Sequence, residues 1–385
     1  MTLSWKQPPN LAMMRCDRAW VEIDLAALAH NVRQLKSLLA ANTQLMAVVK
    51  ADAYGHGAVT VAQTALAAGA SWLGVATVPE GIELREAGIT APILILGATH
   101  TVEQIKAIAH WQLQPTLCSF KQALIFAETL QAHCLPVHLK LDTGMSRLGP
   151  PWQQAVEFVQ LVQGLPNLEI ASIYSHLATA ESADQTVLQQ QQQNFNEAIR
   201  RVQAAELFPN LPALHLANSA ATLIDTRLHY DMVRVGLAVY GHYPAQHLVS
   251  KVDLKPVMRV KARVTQVKTI PAETGVSYGY KFVSDRAMQI AVVGIGYADG
   301  IPRNLSNRMT VLVRGQRVRQ IGAITMDQLM IDASAIADIQ EGEIVTLIGA
   351  DGNDWISADD WATQLNTISW EILCGFKHRL PRVAC

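Results

Sequence analysis

The sequence predicts an α/β protein: an N-terminal (β/α)8 barrel of the TIM type, then a C-terminal, mainly antiparallel β domain. Three observations predict it. Eight short apolar runs alternate with helical patterns, the rhythm of a closed parallel barrel. Polar, chemistry-bearing side chains fall at the C-terminal ends of those runs. After about Gly241 the long helices stop and strand patterns follow one another.

The eight runs are "LMAVVK", "SWLGVAT", "PILILG", "LQPTLC", "VHLKLDT", "IASIYSH", "ALHLANS" and "MVRVGLAVYG". Each has strand length and is bounded by Gly, Asp, Asn or another turn former. Between them lie helical patterns such as "VEQIKAIAHW", "QQAVEFVQLVQ" and "NFNEAIRRVQAAEL". The fourth run is the weakest strand, because Pro115 sits inside it. The glutamine run Gln189 to Gln193, flanked by Leu188 and Phe195, reads as a solvated helix face. Ala53 to Pro79 carries no Asp, Glu, Lys or Arg, which by length alone nominates a membrane span. Its glycines instead divide it into a helix closed by Gly69 and the strand "SWLGVAT".

The later strands are "VKARVTQVKTI", "MQIAVVGIGY", "MTVLVRGQRV" and "GEIVTLIGA", with "VRGQRV" as a hairpin turn. One late helix, "SADDWATQLN", has Ser357 as N-cap and acids in its first turn. The domain boundaries that follow are 20–245 for the barrel and 246–385 for the β domain, with residues 1–19 packing on the latter.

Composition excludes several functions. Over 385 residues the net charge is −1, so neither a nucleic acid nor an anionic membrane is an expected partner. The five cysteines (Cys16, Cys118, Cys134, Cys374, Cys385) form no CxxC pair and imply no disulfide framework, consistent with a reducing cytoplasm. The first residues lack the apolar core of a signal peptide. His110, His133, His138, His215, His229 and His242 show no metal-ligand spacing, so no metal is expected and most read as structural. "GIGYADG" has the wrong glycine spacing for a dinucleotide fingerprint. "LDTG" occurs once, whereas an aspartic protease needs two carboxylates.

In such a barrel chemistry sits at the strand C-termini. Those positions hold Lys50, Lys140 with Asp142, His176, Asn218 with Ser219, and Arg234. Each alone is as well explained as a satisfied polar residue at a barrel rim. Together at one mouth they define a site. Loops after the last two strands commonly bind phosphate, a role that Ser219, Gly236 and Leu237 fit. A strand-end lysine facing a phosphate cradle points to pyridoxal 5′-phosphate held as a Schiff base on Lys50. Free lysine has a pKa of ~10.4, so a lysine acting as a base near neutrality needs a shift of about 3 units, roughly 4 kcal/mol.

From Trp20 to Arg382 the chain resembles the alanine racemases. The resemblance rests on "WVEIDLAALAHNV", "VVKADAYGHGA", "DTGMSRLG", "SHLATAE", "ANSA", "VRVGLAVYG", "VSYGYKF", "GIGYADG", "TMDQ" and "CGFKHRLPR", in this order. It implies a head-to-tail homodimer acting on alanine, with Lys50 as Schiff-base lysine and one catalytic base. It implies Tyr278 as the second base, lent by the partner subunit. Tyr54, Ser219, Gly236 and Leu237 would bind phosphate. Arg147 would hold the phenolic oxygen and the substrate carboxylate. His176 would stack on the pyridine ring, Arg234 would donate to its nitrogen, and Asn218 would support the arginines. Tyr297, Met326 and Asp327 would line the substrate pocket, and Lys140 matches a lysine carbamylated in some members. An arginine at the ring nitrogen would limit charge delocalisation and favour reprotonation at Cα over transamination.

A basic amino-acid decarboxylase of the same plan and an idle cofactor-binding protein are the alternatives. Arg234 and "VSYG" argue against the first, and the complete second domain against the other. Three departures stand out. Ser146 replaces a usual glycine and would be mildly strained if its φ is positive. His378 stands where some relatives have a phosphate-contacting tyrosine, and Asp52 where asparagine is frequent.

Overall fold

The computed structural model describes residues 18–130 and 134–385; Cys16, His133 and the packing expected of residues 1–17 lie outside the described residues. The chain divides into two compact units. Of the described residues, one holds those within Ala26–Ala53 and Gly57–Pro256; the other holds Arg18 to Leu25, Tyr54–His56 and Val257–Cys385.

The first strand, β1 (Ala19–Ile23), belongs to the second unit. It pairs antiparallel with β10 (Met258–Ile270), Ala19 opposite Ala262, and parallel with β19 (Arg382–Ala384). A barrel starting at residue 20 and a boundary at 245/246 therefore differ from the units observed. Strand partners are chosen by register and burial, not by nearness in sequence, so a composition change along the chain does not reveal β1's destination.

The first unit is an eight-stranded, all-parallel sheet. In chain order its strands are β2 (Gln44–Val48), β3 (Trp72–Val75), β4 (Ile93–Ala98), β5 (Gln114–Leu117), β6 (Leu135–Lys140), β7 (Leu168–Tyr174), β8 (Ala213–His215) and β9 (Met232–Val235). Each pairs with the next from β2 to β8, and β9 pairs back onto β2. The sheet ends meet through Asp231 N–H donating to Leu214 O and Arg234 N–H donating to Ala217 O, both at 3.0 Å, which closes the barrel. Strands buried on both faces explain the unbroken apolar runs; Leu45, Met46 and Ala47 are wholly buried. The β4–β5 ladder slips between Ile95 and Ala98 opposite Pro115, whose missing N–H cannot complete it.

The span Ala53 to Pro79 forms the helix Ala58–Ala67 and β3, and no described helix is long and apolar enough to cross a membrane. The glutamine run lies in the helix Thr186–Ala204, but it is not a wholly solvated face: Gln191 is buried. It shares a helical stripe with Leu188, Phe195 and Ala198, because residues three and seven apart face the same way.

In the second unit, β11 (Gly275–Val276) and β12 (Phe282–Val283) form a small ribbon. The main sheet comprises β1, β10, β13 (Met288–Val293), β14 (Thr310–Val313), β15 (Gln316–Ile321), β16 (Leu329–Asp332), β17 (Ile344–Asp351), β18 (Asp354–Ile356) and β19. Because β17 also pairs with β10, six of these close into a ring: β10, β13, β16, β15, β14, β17. The β14–β15 turn is Arg314–Gly315, both at positive φ, as a two-residue hairpin requires. Ser357 Oγ accepts from Asp360 N–H at 3.0 Å while Asp360 accepts from Ser357 N–H, a complete capping box on the late helix.

Asn31, in the helix Leu25–Ser37, is fully buried. Its Nδ2 donates to Val239 O and Lys255 O, and its Oδ1 accepts from Lys255 N–H. Removing it strands three backbone groups, the buried Val239 O and the part-buried Lys255 N–H and O. Asn31→Ala is expected to cost about 3 kcal/mol, read from urea unfolding.

Candidate active site

β2 runs out through Val49 into Lys50, and the chain then turns with the wrong hand. Ala51, Asp52, Ala53 and Tyr54 all have φ between +53° and +55°, and Gly55 follows at +82°. Left-handed turns crowd Cβ against the next carbonyl, so they need support. Glu80 Oε1 accepts from Ala51 N–H at 2.8 Å, Asp52 Oδ1 accepts from Ala58 N–H at 2.8 Å, and Gly57 N–H donates to Asp52 O. A carboxylate at position 52 serves this capping role fully. Gly55 is obligatory within its own unit, since a Cβ there would lie 2.5 Å from Leu373 O. Burial pushes the Tyr54 phenol up to about 12, so it is a protonated donor at neutral pH.

The loop after β6 carries Arg147. Asp142 Oδ1 accepts three consecutive amides, Gly144, Met145 and Ser146, at 2.9, 3.1 and 3.0 Å. Ser146 has φ +56°, the strained conformation expected where a glycine is usual. Gly149 lets the loop return, for a Cβ there would meet Lys140 O at 2.5 Å. Arg147 itself is exposed.

Inside the mouth, Lys140 is buried with Nζ 4.7 Å from the centre of the Tyr174 ring. Burial, with Arg234 and Arg147 nearby, pushes its amine down to about 7. Arg234 is also buried; burial lowers it to about 10, so it stays charged. His176 is held well below its ordinary value by burial, then by the positive charges of Arg234, Lys140, Arg147 and Lys50. Arg234, Arg147, Lys50 and a Lys140 amine that is only partly charged near neutrality thus bear on one imidazole.

Arg234 makes four bonds. Nη1 donates to His215 Nδ1 (2.9 Å); Nη2 donates to Ser175 O (2.7 Å), His176 Nδ1 (3.0 Å) and Leu216 O (3.1 Å). Guanidinium only donates, so His215 Nδ1 is an acceptor and the proton sits on Nε2. His215 Nε2 lies 2.8 Å from Ser172 Oγ, Ser172 Oγ 2.6 Å from His138 Nδ1, and His138 Nε2 2.7 Å from Gln114 Oε1. Only one direction satisfies every atom: His215 donates to Ser172, Ser172 to His138, His138 to Gln114. Both histidines are neutral. Burial lowers His138 to about 3 and, with Arg234 beside it, His215 well below its ordinary value. Tyr174 stacks on His215 at 4.6 Å.

Across the mouth, Ser219 Oγ accepts from Gly236 N–H (3.1 Å) and Ala238 N–H (3.4 Å), gathering a hydroxyl and main-chain amides. Leu237 opens the next turn, Leu237–Tyr240. Asn218 uses Oδ1 to cap the helix Ser219–Ile224, a role its sequence position did not announce.

In the second unit, Tyr278 lies on a turn between β11 and β12 and is 71% exposed. It lines a cleft of about 810 Å³ with Tyr280, Thr325 and Met330. Tyr297 N–H donates to Thr325 O and Ala298 N–H to Met326 O, both at 3.0 Å, so Tyr297, Met326 and Asp327 sit together. Buried Asp299 anchors this corner through two bonds from Arg18 (2.7 and 2.8 Å), and Arg379 joins Asp327. His378 is exposed.

The sequence singles out neither Tyr174, Ser172 nor Gln114, and it places His138 and His215 in a group read mostly as structural without showing that they share one network. The signal was parity. Gln114/Thr116/Cys118, His138/Lys140/Asp142 and Ser172/Tyr174/His176 are alternate residues on neighbouring strands, the side that faces the barrel interior.

Fold and site together define a two-domain α/β-barrel enzyme with a cationic site at the strand C-termini. Residues 23–244 match the family "Alanine racemase, N-terminal domain" and residues 257–384 match "Alanine racemase, C-terminal domain". The chain is 71% identical over 370 residues to an alanine racemase of Nostoc sp., covering 95% of each, and 65% identical over 368 residues to one of Synechocystis sp., covering 95% of this chain and 98% of that one. It superposes with TM-score 0.90 at 34% identity on the crystal structure of alanine racemase from Bacillus anthracis with bound L-Ala-P, covering 96% of this chain and 95% of that one. The chain belongs to the alanine racemase family.

His138 binds no proton when folded until about pH 3 but titrates near 6.5 when unfolded. Its contribution is whole above pH 6.5 and is lost as pH falls toward 3, at about 1.4 kcal/mol per pH unit. Urea midpoints between pH 7 and 4.5 should therefore fall less steeply in His138→Gln than in the parent.

Proposed function

We propose that this chain interconverts L-alanine and D-alanine by removing the Cα proton on one face and returning one to the other, with pyridoxal 5′-phosphate as resident cofactor. Family membership across both domains supports it. The observation that carries it is the positive charge gathered around His176, from Arg234, bonded to it at 3.0 Å, and from Arg147 and Lys50, a donor set suited to an anionic, planar ligand.

The residues fit that cofactor. The Ser219 hydroxyl, the Gly236 and Leu237 amides and the protonated Tyr54 phenol would hold phosphate, with His378 as a further donor. Arg234 Nε, which none of its four bonds uses, would donate to the ring nitrogen. His176 would stack on the ring, Arg147 would take the phenolic oxygen and the substrate carboxylate, and Asn218 would support the arginines. Lys50 would carry the covalent link. When bound, the group supplies the electron sink for the Cα carbanion. Lys50 takes or gives the proton on one face. Tyr278, from the second copy of a head-to-tail homodimer, does so on the other. Its high exposure on its own subunit supports that assignment. Tyr297, Met326 and Asp327 of that copy would shape the substrate pocket. The setting is the cytoplasm, supplying D-alanine for peptidoglycan.

The deciding experiment incubates the purified protein, with pyridoxal phosphate, and L-alanine in deuterated water. Cα exchange and loss of optical rotation should proceed together; absence of both overturns the reading. Lys50→Ala should lose the visible absorbance of the bound cofactor, and Tyr278→Phe should slow the two directions unequally.

Lys140 fits carbamylation. With its amine near 7, about half is uncharged at neutral pH and nucleophilic toward CO2. The N–C bond forms, one amine proton leaves to solvent, and the resulting anion would orient Arg147. Carbon-13 bicarbonate should give a carbamate resonance that Lys140→Ala lacks and that grows as pH rises through 7. A wild-type spectrum without it would leave Lys140 unmodified.

A further inference from the structure

The glutamine run contains one residue that does not face water. Gln191 lies on the buried stripe of the helix Thr186–Ala204, between Leu188 and Phe195. A buried primary amide is costly unless both its ends are used. Here they are. Oε1 accepts from Ala178 N–H at 2.8 Å, and Nε2 donates to His176 O at 3.0 Å. The side chain grips the main chain on both sides of Leu177, as a neighbouring strand would. It thereby continues the β7 edge just beyond the point where the sheet ends.

One turn further along the same helix, Asn194 Nδ2 donates to Thr143 O at 3.0 Å. Thr143 Oγ1 lies 2.8 Å from Ser175 Oγ, which donates to Leu141 O at 2.8 Å. Gly144 permits the approach: a Cβ there would lie 3.3 Å from Gln191 Cγ. Two side chains of one helix therefore reach two loops. One loop carries His176, the other Arg147.

We propose that Gln191 and Asn194 are positioning residues, an amide clamp that fixes the backbone on which His176 and Arg147 are presented to cofactor and substrate. This rests on the functional reading above for its catalytic consequence, but not for its structural one. His176 is one of Arg234's partners, so a slack His176 turn would also loosen the guanidinium. A displacement of about 1 Å at a reacting centre can cost up to roughly a hundred-fold in rate.

The test has two arms. In the cofactor-free full chain, hydrogen exchange at the Ala178 amide is compared between wild type and Gln191→Met, which keeps the volume and removes both bonds. Protection should fall at least ten-fold. In the loaded enzyme, Gln191→Met should lower kcat about ten-fold with a smaller change in KM for alanine. Asn194→Ala should chiefly raise KM, because its loop leads to the carboxylate-binding arginine. Gln189→Ala and Gln193→Ala, at exposed positions of the same run, should match wild type. Should Gln191→Met not fold, Gln191→Leu, which also removes both bonds, is read by the same exchange at the Ala178 amide and should lose protection likewise. Unchanged exchange and unchanged kcat in the position-191 variants overturn the clamp, as would equal losses from Gln189→Ala. If wild type does not racemise alanine, the functional reading fails, and the exchange arm alone still decides the clamp.

Discussion

A guanidinium can only donate. That restriction, imposed by buried Arg234, organises the barrel mouth. Because every atom facing Arg234 must accept, His176 and His215 each present an unprotonated Nδ1, and neither can charge without turning an N–H against another N–H. The choice then propagates. His215 must donate from Nε2, Ser172 must pass the bond on, His138 takes the same tautomer, and Gln114 must offer oxygen. One charge thus fixes three tautomers, a hydroxyl rotor and an amide orientation. Low dielectric strengthens such a chain, and it makes any broken link costly.

The rest of the mouth is arranged around that charge. Lys140 lies near the same Tyr174 ring as Arg234 and gives up much of its proton affinity, first to burial and then to the positive charges of Arg234 and Arg147. Asp142 spends an oxygen on three amides of the Arg147 loop. The result is a preorganised cationic surface whose backbone is fixed before any ligand arrives, the condition under which electrostatic stabilisation is most effective.

Much of this was legible in the sequence, for identifiable reasons. Parallel strands buried on both faces leave continuous apolar runs, so β2, β4 and β9 announce themselves, and the barrel rule locates Lys50, His176 and Arg234 at their ends. Ser146 at a position where glycine is usual marked a place for mild strain should φ be positive, and its φ is +56°. What stayed hidden depends on pairing between distant segments. β1 joins strands from the far end of the chain, and no local pattern says so. His138 and His215 looked like isolated core histidines because their meaning comes from Ser172 between them. Gln191 looked like one glutamine among several; only the helix phase set by Leu188 and Phe195 separates it from its neighbours.

The reversed-hand turn after Lys50 carries a wider implication. Four successive side-chain-bearing residues at positive φ cost on the order of 4–8 kcal/mol at ~1–2 kcal/mol each, comparable with the whole net stability of an ordinary domain. Such a segment is a wound spring, latched by the Glu80 carboxylate and the Asp52 side chain. Were either latch cut, the coil would unwind toward the ordinary hand and redirect Lys50. The aim of Lys50 is therefore guarded by two acids, Glu80 and Asp52, that act only on the backbone beside it.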